Sequence, residues 1–112
     1  ERVKHAQWLS FSQSEIEAYL WHNFLLQRSE KGLESFQETL KINHHMALEG
    51  LKVLNDHLER SDYLCGVHFS LADIIVGWTI NWARRGSLIS SFGHLNNYLD
   101  RLFQRSHCVL AR

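Results

Sequence analysis

The sequence predicts an all-α protein, an orthogonal or up-down bundle of four to five helices, and three observations carry that reading. The 112 residues include six glycines and no proline, where ordinary usage would supply about five or six prolines. With so little turn material, long helices are the natural organisation. Apolar residues recur at three- and four-residue spacing along most of the chain. Finally, residues 63–74, Tyr-Leu-Cys-Gly-Val-His-Phe-Ser-Leu-Ala-Asp-Ile, join a glycine turn to a helix-start signal. Ser70 is a preferred N-cap, and Asp73 stands where its carboxylate can return to the Ser70 amide. Phe69 and Ile74 are spaced as a hydrophobic staple. Aspartate is a shorter-armed partner than the commoner glutamate, but its charge suits the positive end of the helix dipole.

Residues 1–28 read as one long helix or a kinked pair. Val3, Ala6, Leu9, Ile16, Leu20 and Leu25 form a stripe that Trp8, Phe11, Tyr19 and Trp21 widen. Ser14 with Glu17 makes another capping-box pattern, which would place a break near 10–14. Residues 28–32 form the first loop. A second long helix follows over 33–60, with Leu40, Ala47, Leu51, Leu54 and Leu58 on one face. Gly50 within it is either a weak point or a place of close packing. After a turn at 61–68, the capped helix runs to about Arg85. It is apolar nearly all round, which predicts burial in the middle of the bundle. Arg84 and Arg85 complement its dipole, and Gly86 is placed as its stop. A further helix over about 91–105 carries Leu95, Tyr98, Leu99, Leu102 and Phe103, and 106–112 reads as a helical start that is cut off.

Composition bounds the function. Hydrophobic residues at 45% and charged residues at 21% are ordinary for one globular domain, here 1–112. Twelve basic residues balance twelve acidic ones at a pI of about 7.3, which argues against a nucleic-acid or anionic-membrane footprint. No apolar run approaches the roughly 18 residues of a membrane span. Glu1 in place of an initiator Met reads as a piece of a longer protein. Cys65 and Cys108 match no metal spacing and read as reduced thiols, hence a cytoplasmic protein.

The eight histidines invite a metal reading, but no pair stands at i, i+4, and His44 and His45 point about 100° apart on a helix. No metal site is expected. Cys65 near His68 lies in a turn and is weak support for a catalytic thiol. Asp73 is accounted for by capping, so no residue here is assigned a catalytic role. The tryptophans carry more. Trp78 and Trp82 lie one turn apart, and core packing is their default role. The sharper reading puts Trp82 beside an apolar cleft near Arg84 and Arg85, suited to an aromatic, electrophilic or acidic ligand.

The segment 63–74 also resembles the glutathione transferase helical-domain motif, a Tyr-Leu-x-Gly-x-x-Phe-[Ser/Thr]-x-Ala-Asp run that leads into the central helix. Gln7-Trp8-Leu9-Ser10-Phe11 is similar to the first helix of that domain, and Trp82-Ala83-Arg84 to the end of its central one. Ser91-Phe92-Gly93-His94-Leu95 with Tyr98-Leu99-Asp100-Arg101-Leu102 resembles the stretch that follows. The likeness covers essentially the whole chain, with a bacterial flavour. Gly93 and Ser106 replace common prolines. Glu17 and Ala18 stand where some bacterial members carry a His-Lys pair near the glutathione thiol, so that role is not carried over.

The resemblance implies the C-terminal helical domain without its N-terminal thioredoxin-like domain, which binds glutathione and supplies the activating Tyr, Ser or Cys. The parent would be a cytosolic homodimer acting in detoxification, with glutathione as its co-substrate and no cofactor in this domain. This domain would give one wall of the pocket for a small electrophile and part of the dimer interface, without conjugating glutathione alone. Phe11 and Glu15, with Trp82 and Arg85, are the expected wall. The alternative is a non-catalytic docking module of the kind found in a translation elongation factor subunit and some aminoacyl-tRNA synthetases. On either reading Ser70 and Asp73 are structural. Replacing Asp73 with Ala is therefore expected to cost at least the ~1 kcal/mol of a helix cap. An unchanged Tm would overturn that reading.

Overall fold

The computed structural model describes residues 2–29 and 36–105. Its helices are α1 (Arg2–Ser12), α2 (Ala18–Gln27), α3 (Gln37–Leu58), α4 (Leu71–Arg85) and α5 (Gly93–Phe103), with a π-helical turn, Gln13–Glu17, between α1 and α2. Backbone angles stay helical across both junctions, at Ser12 and at Glu17. The first three pieces are thus one continuous rod, and the described residues form four rods without a strand. Of the two alternatives for 1–28, one long helix or a kinked pair, the first holds, without a break near 10–14. Ser14 does not start a new helix; its hydroxyl donates to the Ser10 carbonyl at 2.8 Å, a bond that leaves the chain helical. The terminal stretch 106–112 lies outside the described residues.

The rod runs antiparallel to α3. Trp8 stacks on His57 with ring centroids 4.3 Å apart, Ile16 meets Gly50, and Asn43 donates to Asn23 at 2.9 Å. Gly50 resolves as a close-packing residue. A Cβ there would stand 2.7 Å from the Glu15 carbonyl oxygen and 2.8 Å from Ile16 Cγ1. The π turn presses its backbone into α3 at this point and drives Ile16 fully into the core. The rod runs parallel to α4, with the Thr79 hydroxyl donating to Glu17 Oε2 at 3.2 Å. The α5 helix packs on both α3 and α4.

The core joins Ile16, Leu51, Leu54, Leu58, Val76, Ile80, Leu95, Leu99 and Leu102. The stripes expected on α3 and α5 are largely the buried ones. Two expectations need correction. Val3, Trp21 and Leu25 on the rod are half-exposed or more, because α1 and α2 lean on different neighbours, α4 and α3, and no single stripe serves both. Helix α4 is not enclosed. Ala72, Val76, Ile80 and Ala83 face inward, but Leu71, Ile75 and Trp78 leave an apolar strip outside. The α1 and α5 helices cover only one side of it.

The capping box closes at the start of α4. Asp73 is fully buried, and its Oδ2 accepts the Ser70 amide at 2.8 Å and the Ser70 hydroxyl at 3.1 Å. Its Oδ1 accepts the Leu64 amide at 3.0 Å and the Tyr98 hydroxyl at 2.7 Å. The loop before the cap doubles back through paired bonds between Tyr63 and Gly66, where φ of +123° requires glycine. At the other end, Gly86 is the C-cap, as the sequence reading placed it. Its φ is −86°, and the left-handed residue is the next one, Ser87, at +62°. The Ser87 amide donates to the Arg84 carbonyl and the Leu88 amide to the Ala83 carbonyl, both at 3.0 Å. That is a Schellman closure with Ser87 in the position that usually holds glycine. The start of α5 is capped from a distance, with Asn55 Oδ1 accepting the His94 and Leu95 amides at 3.0 and 3.1 Å.

Two measurements test this packing. Gly50→Ala should gain about 1 kcal/mol of helix propensity, yet lose more to overpacking against a backbone carbonyl. The net destabilisation should be roughly 1–2 kcal/mol, and a raised Tm would refute the close approach. Tyr98 has a pKa well above 10, through burial first and the Asp73 carboxylate second. As pH rises past about 10 the unfolded chain releases this proton before the folded one does. Stability from this group is therefore whole below pH 10 and falls above it, by up to about 1.4 kcal/mol per pH unit. Alkaline unfolding curves of Tyr98→Phe should lack that part of the slope, and identical slopes would contradict the network.

Candidate functional site

Between α2 and the second half of α4 lies an open cleft of about 300 Å³, lined by Trp21, Phe24, Trp78, Asn81, Trp82 and Arg85. Its origin lies in the packing, since α2 rests on α3 while α4 is held by α1 and α5. The gap left between them is bridged by rings. Trp82 is the hub, meeting Trp21 at 5.8 Å and 68°, Phe24 at 6.0 Å and 74°, and Trp78 at 5.6 Å and 51°. Trp21 and Phe24 stack at 5.2 Å and 13°. Edge-to-face and offset pairs such as these hold their partners in set orientations. Trp21 is 50% and Trp78 53% exposed, so two large rings present surface to an incoming molecule.

The cleft has a polar end. Arg85 lies in the last turn of α4, where a cation suits the helix dipole. Arg28 stands over the Phe24 ring at 5.1 Å, on the outer side of the aromatic group. Two further arginines lie outside the cleft lining. Arg84 pairs with Asp100 at 3.2 Å and Arg101 donates to the Asp62 carbonyl at 2.8 Å. The surface can therefore hold a flat apolar group against indole faces, with a cation near one edge.

Of the residues singled out from sequence, the structure brings Trp82 and Arg85 together in the cleft. Phe11 packs edge-on against Trp8, at 5.7 Å and 80°, beside the core. Glu15 has an exposed side chain, while its carbonyl faces Gly50. Neither lines the cleft, whose first rod residue, Trp21, lies about two turns past Glu15 and about three past Phe11. Ser70 and Asp73 lie at the opposite end of α4, in the capping network. From sequence, Trp21 reads only as part of an apolar stripe and Trp78 as core, and Phe24 is not singled out. Their exposure was invisible, but the i, i+3 pairing of Trp21 with Phe24 and the i, i+4 pairing of Trp78 with Trp82 was a usable signal. Among the described residues, no three His, Cys, Asp or Glu side chains gather as a metal site. Cys65 is a free thiol.

Fold and site together define a small helical domain that offers an aromatic wall on one flank. The family model for "Glutathione S-transferase, C-terminal domain" matches residues 46–101, half of the 112 residues. The chain belongs to that family. No curated protein and no solved structure matches it. The matched stretch includes the capping network and Trp78, Trp82 and Arg85, whereas Trp21 and Phe24 stand on the rod before it. Among the described residues no helix is long and apolar enough to cross a membrane.

Proposed function

We propose that this chain supplies the co-substrate wall of a glutathione transferase. Glutathione is held and activated on a thioredoxin-like domain that this sequence does not include. A small, mostly apolar electrophile lies in the cleft against Trp21, Trp78 and Trp82. The single observation behind this reading is the half-exposed aromatic cleft that ends at Arg85, in a chain of this family. The indoles supply contact area, and the guanidinium stabilises negative charge as it develops on the electrophile during thiol attack. The chain itself contributes positioning and electrostatics, with the nucleophile coming from elsewhere. The exposed Leu71 and Ile75 offer an apolar strip to the thioredoxin-like domain, and the working protein is a cytoplasmic homodimer that detoxifies electrophiles.

Calorimetric titration of the chain with 2,4-dinitrotoluene, an unreactive nitroaromatic, tests the wall directly. Trp78→Ala should weaken binding roughly three- to tenfold, the worth of one aromatic contact. Its stability should change by less than about 1 kcal/mol, because the ring is half-exposed. Unchanged affinity would remove the cleft from consideration. For the full-length protein, glutathione-agarose retention and thiol conjugation should both be present, and failure of both would overturn the transferase reading.

A further inference from the structure

Resting on that reading and extending it, we infer that the cleft continues past its tryptophans into a second subsite at the π turn. There the Glu17 carboxylate selects co-substrates that carry an ammonium group. A neighbouring hollow, also about 300 Å³, is lined by Gln13, Glu17, Ala18, Trp21, Trp78 and Trp82. It shares its three tryptophans with the first cleft, so one aromatic ridge separates two connected halves of different polarity. Arg85 closes one half and Glu17 the other.

The Glu17 carboxylate is oriented. Thr79, fully buried on α4, donates to its Oε2 at 3.2 Å. A carboxylate bears about four acceptor sites, so this bond directs the group while leaving capacity for a ligand donor. Glu17 ends the π turn, and turns of this kind recur at functional positions because they re-aim the side chains they carry. Ala18, also on the lining, is small and takes little of the hollow's space. Indole faces attract cations within about 6 Å of the ring, so ridge and carboxylate favour the same sign of charge. Thr79 and Arg85 are six residues apart on one helix, about 9 Å at 1.5 Å per residue. The span suits a bicyclic aromatic with its positive group toward the π turn.

Fluorescence titrations of the 112-residue chain with 2-naphthylmethylammonium, 2-naphthylmethanol and 2-naphthoate test this. The ammonium should bind roughly threefold or more tighter than the alcohol at low salt. That advantage should shrink in about 0.5 M NaCl, and the naphthoate, free to turn its carboxylate to Arg85, should not lose affinity in Glu17→Gln. Glu17→Gln keeps an acceptor for Thr79. It should lower ammonium affinity about threefold and leave the alcohol within about twofold. Equal wild-type affinities for ammonium and alcohol, or a parallel loss of both in Glu17→Gln, would overturn the subsite and leave Glu17 as a mere brace for Thr79. If alcohol binding ignores Trp78→Ala, the cleft itself fails and the subsite with it. If alcohol binding depends on Trp78 but ammonium binding is blind to Glu17, only the subsite falls.

Discussion

The bundle depends on one buried carboxylate. Asp73 is fully enclosed, and an enclosed charge is tolerated only where hydrogen bonds replace its water. Here the Leu64 amide, the Ser70 amide and hydroxyl, and the Tyr98 hydroxyl do so. These donors come from the loop, the cap and α5, so a single group fixes where α4 begins and where α5 lies against it. Hydrogen bonds to a charged group are stronger than neutral ones, and two of the donor residues, Leu64 and Tyr98, are themselves braced by neighbours. His57 bonds the Leu64 carbonyl at 2.8 Å, and Arg101 reaches the Asp62 carbonyl and stands over the Tyr98 ring. Removing the carboxylate leaves several donors unanswered at once, and unanswered buried donors cost more than their bonds contributed.

The cleft is a consequence of how the first rod divides its contacts. Near Ile16 the rod closes on α3 so tightly that only glycine fits opposite. One turn later it parts from α4, and aromatic rings fill the widening space. The π turn sits between the two regimes. Both the tight and the open packing follow from it, since the extra residue in that turn pushes Ile16 inward and swings Glu17 toward Thr79. Aromatic residues suit the open side, being broad enough to span it and stiff enough to keep a surface for a ligand.

Polar side chains complete the frame at places where helix ends or helix faces would otherwise be left unsatisfied. Asn55 caps α5 from α3, and Asn96 bonds the Ile89 and Phe92 carbonyls at 2.8 and 3.2 Å. The buried Asn43 meets Asn23 and His22, each at 2.9 Å, while Asn23 reaches the Leu40 carbonyl at 3.1 Å. Such links add little individually, but each is directional and sets the register of one helix against the next.

The local features were legible in the sequence. The capping box at Ser70 and Asp73 and the inner faces of α3 and α5 rest on spacings of three or four residues, which a helix converts directly into contacts; the all-α class adds the lack of proline, and the family was legible through the resemblance of residues 63–74 to its motif. What tertiary structure alone decided concerns residues far apart in sequence. That Asp73 also receives Tyr98, that Asn55 caps α5, and that Gly50 serves the π turn depend on inter-helix register, which no single periodicity encodes. The site divides in the same way. Trp82 and Arg85 share one helix end and could be paired by reading along it. Trp21 and Phe24 reach them because the rod and α4 run parallel; Phe11 falls outside because it lies too early on that rod, and Glu15 because its turn meets α3 at Gly50 while Gln13 and Glu17 on either side line the hollow. Likewise, the sequence showed that α4 is rich in apolar residues, but which of them stay uncovered was set by how many neighbours the bundle places around that helix.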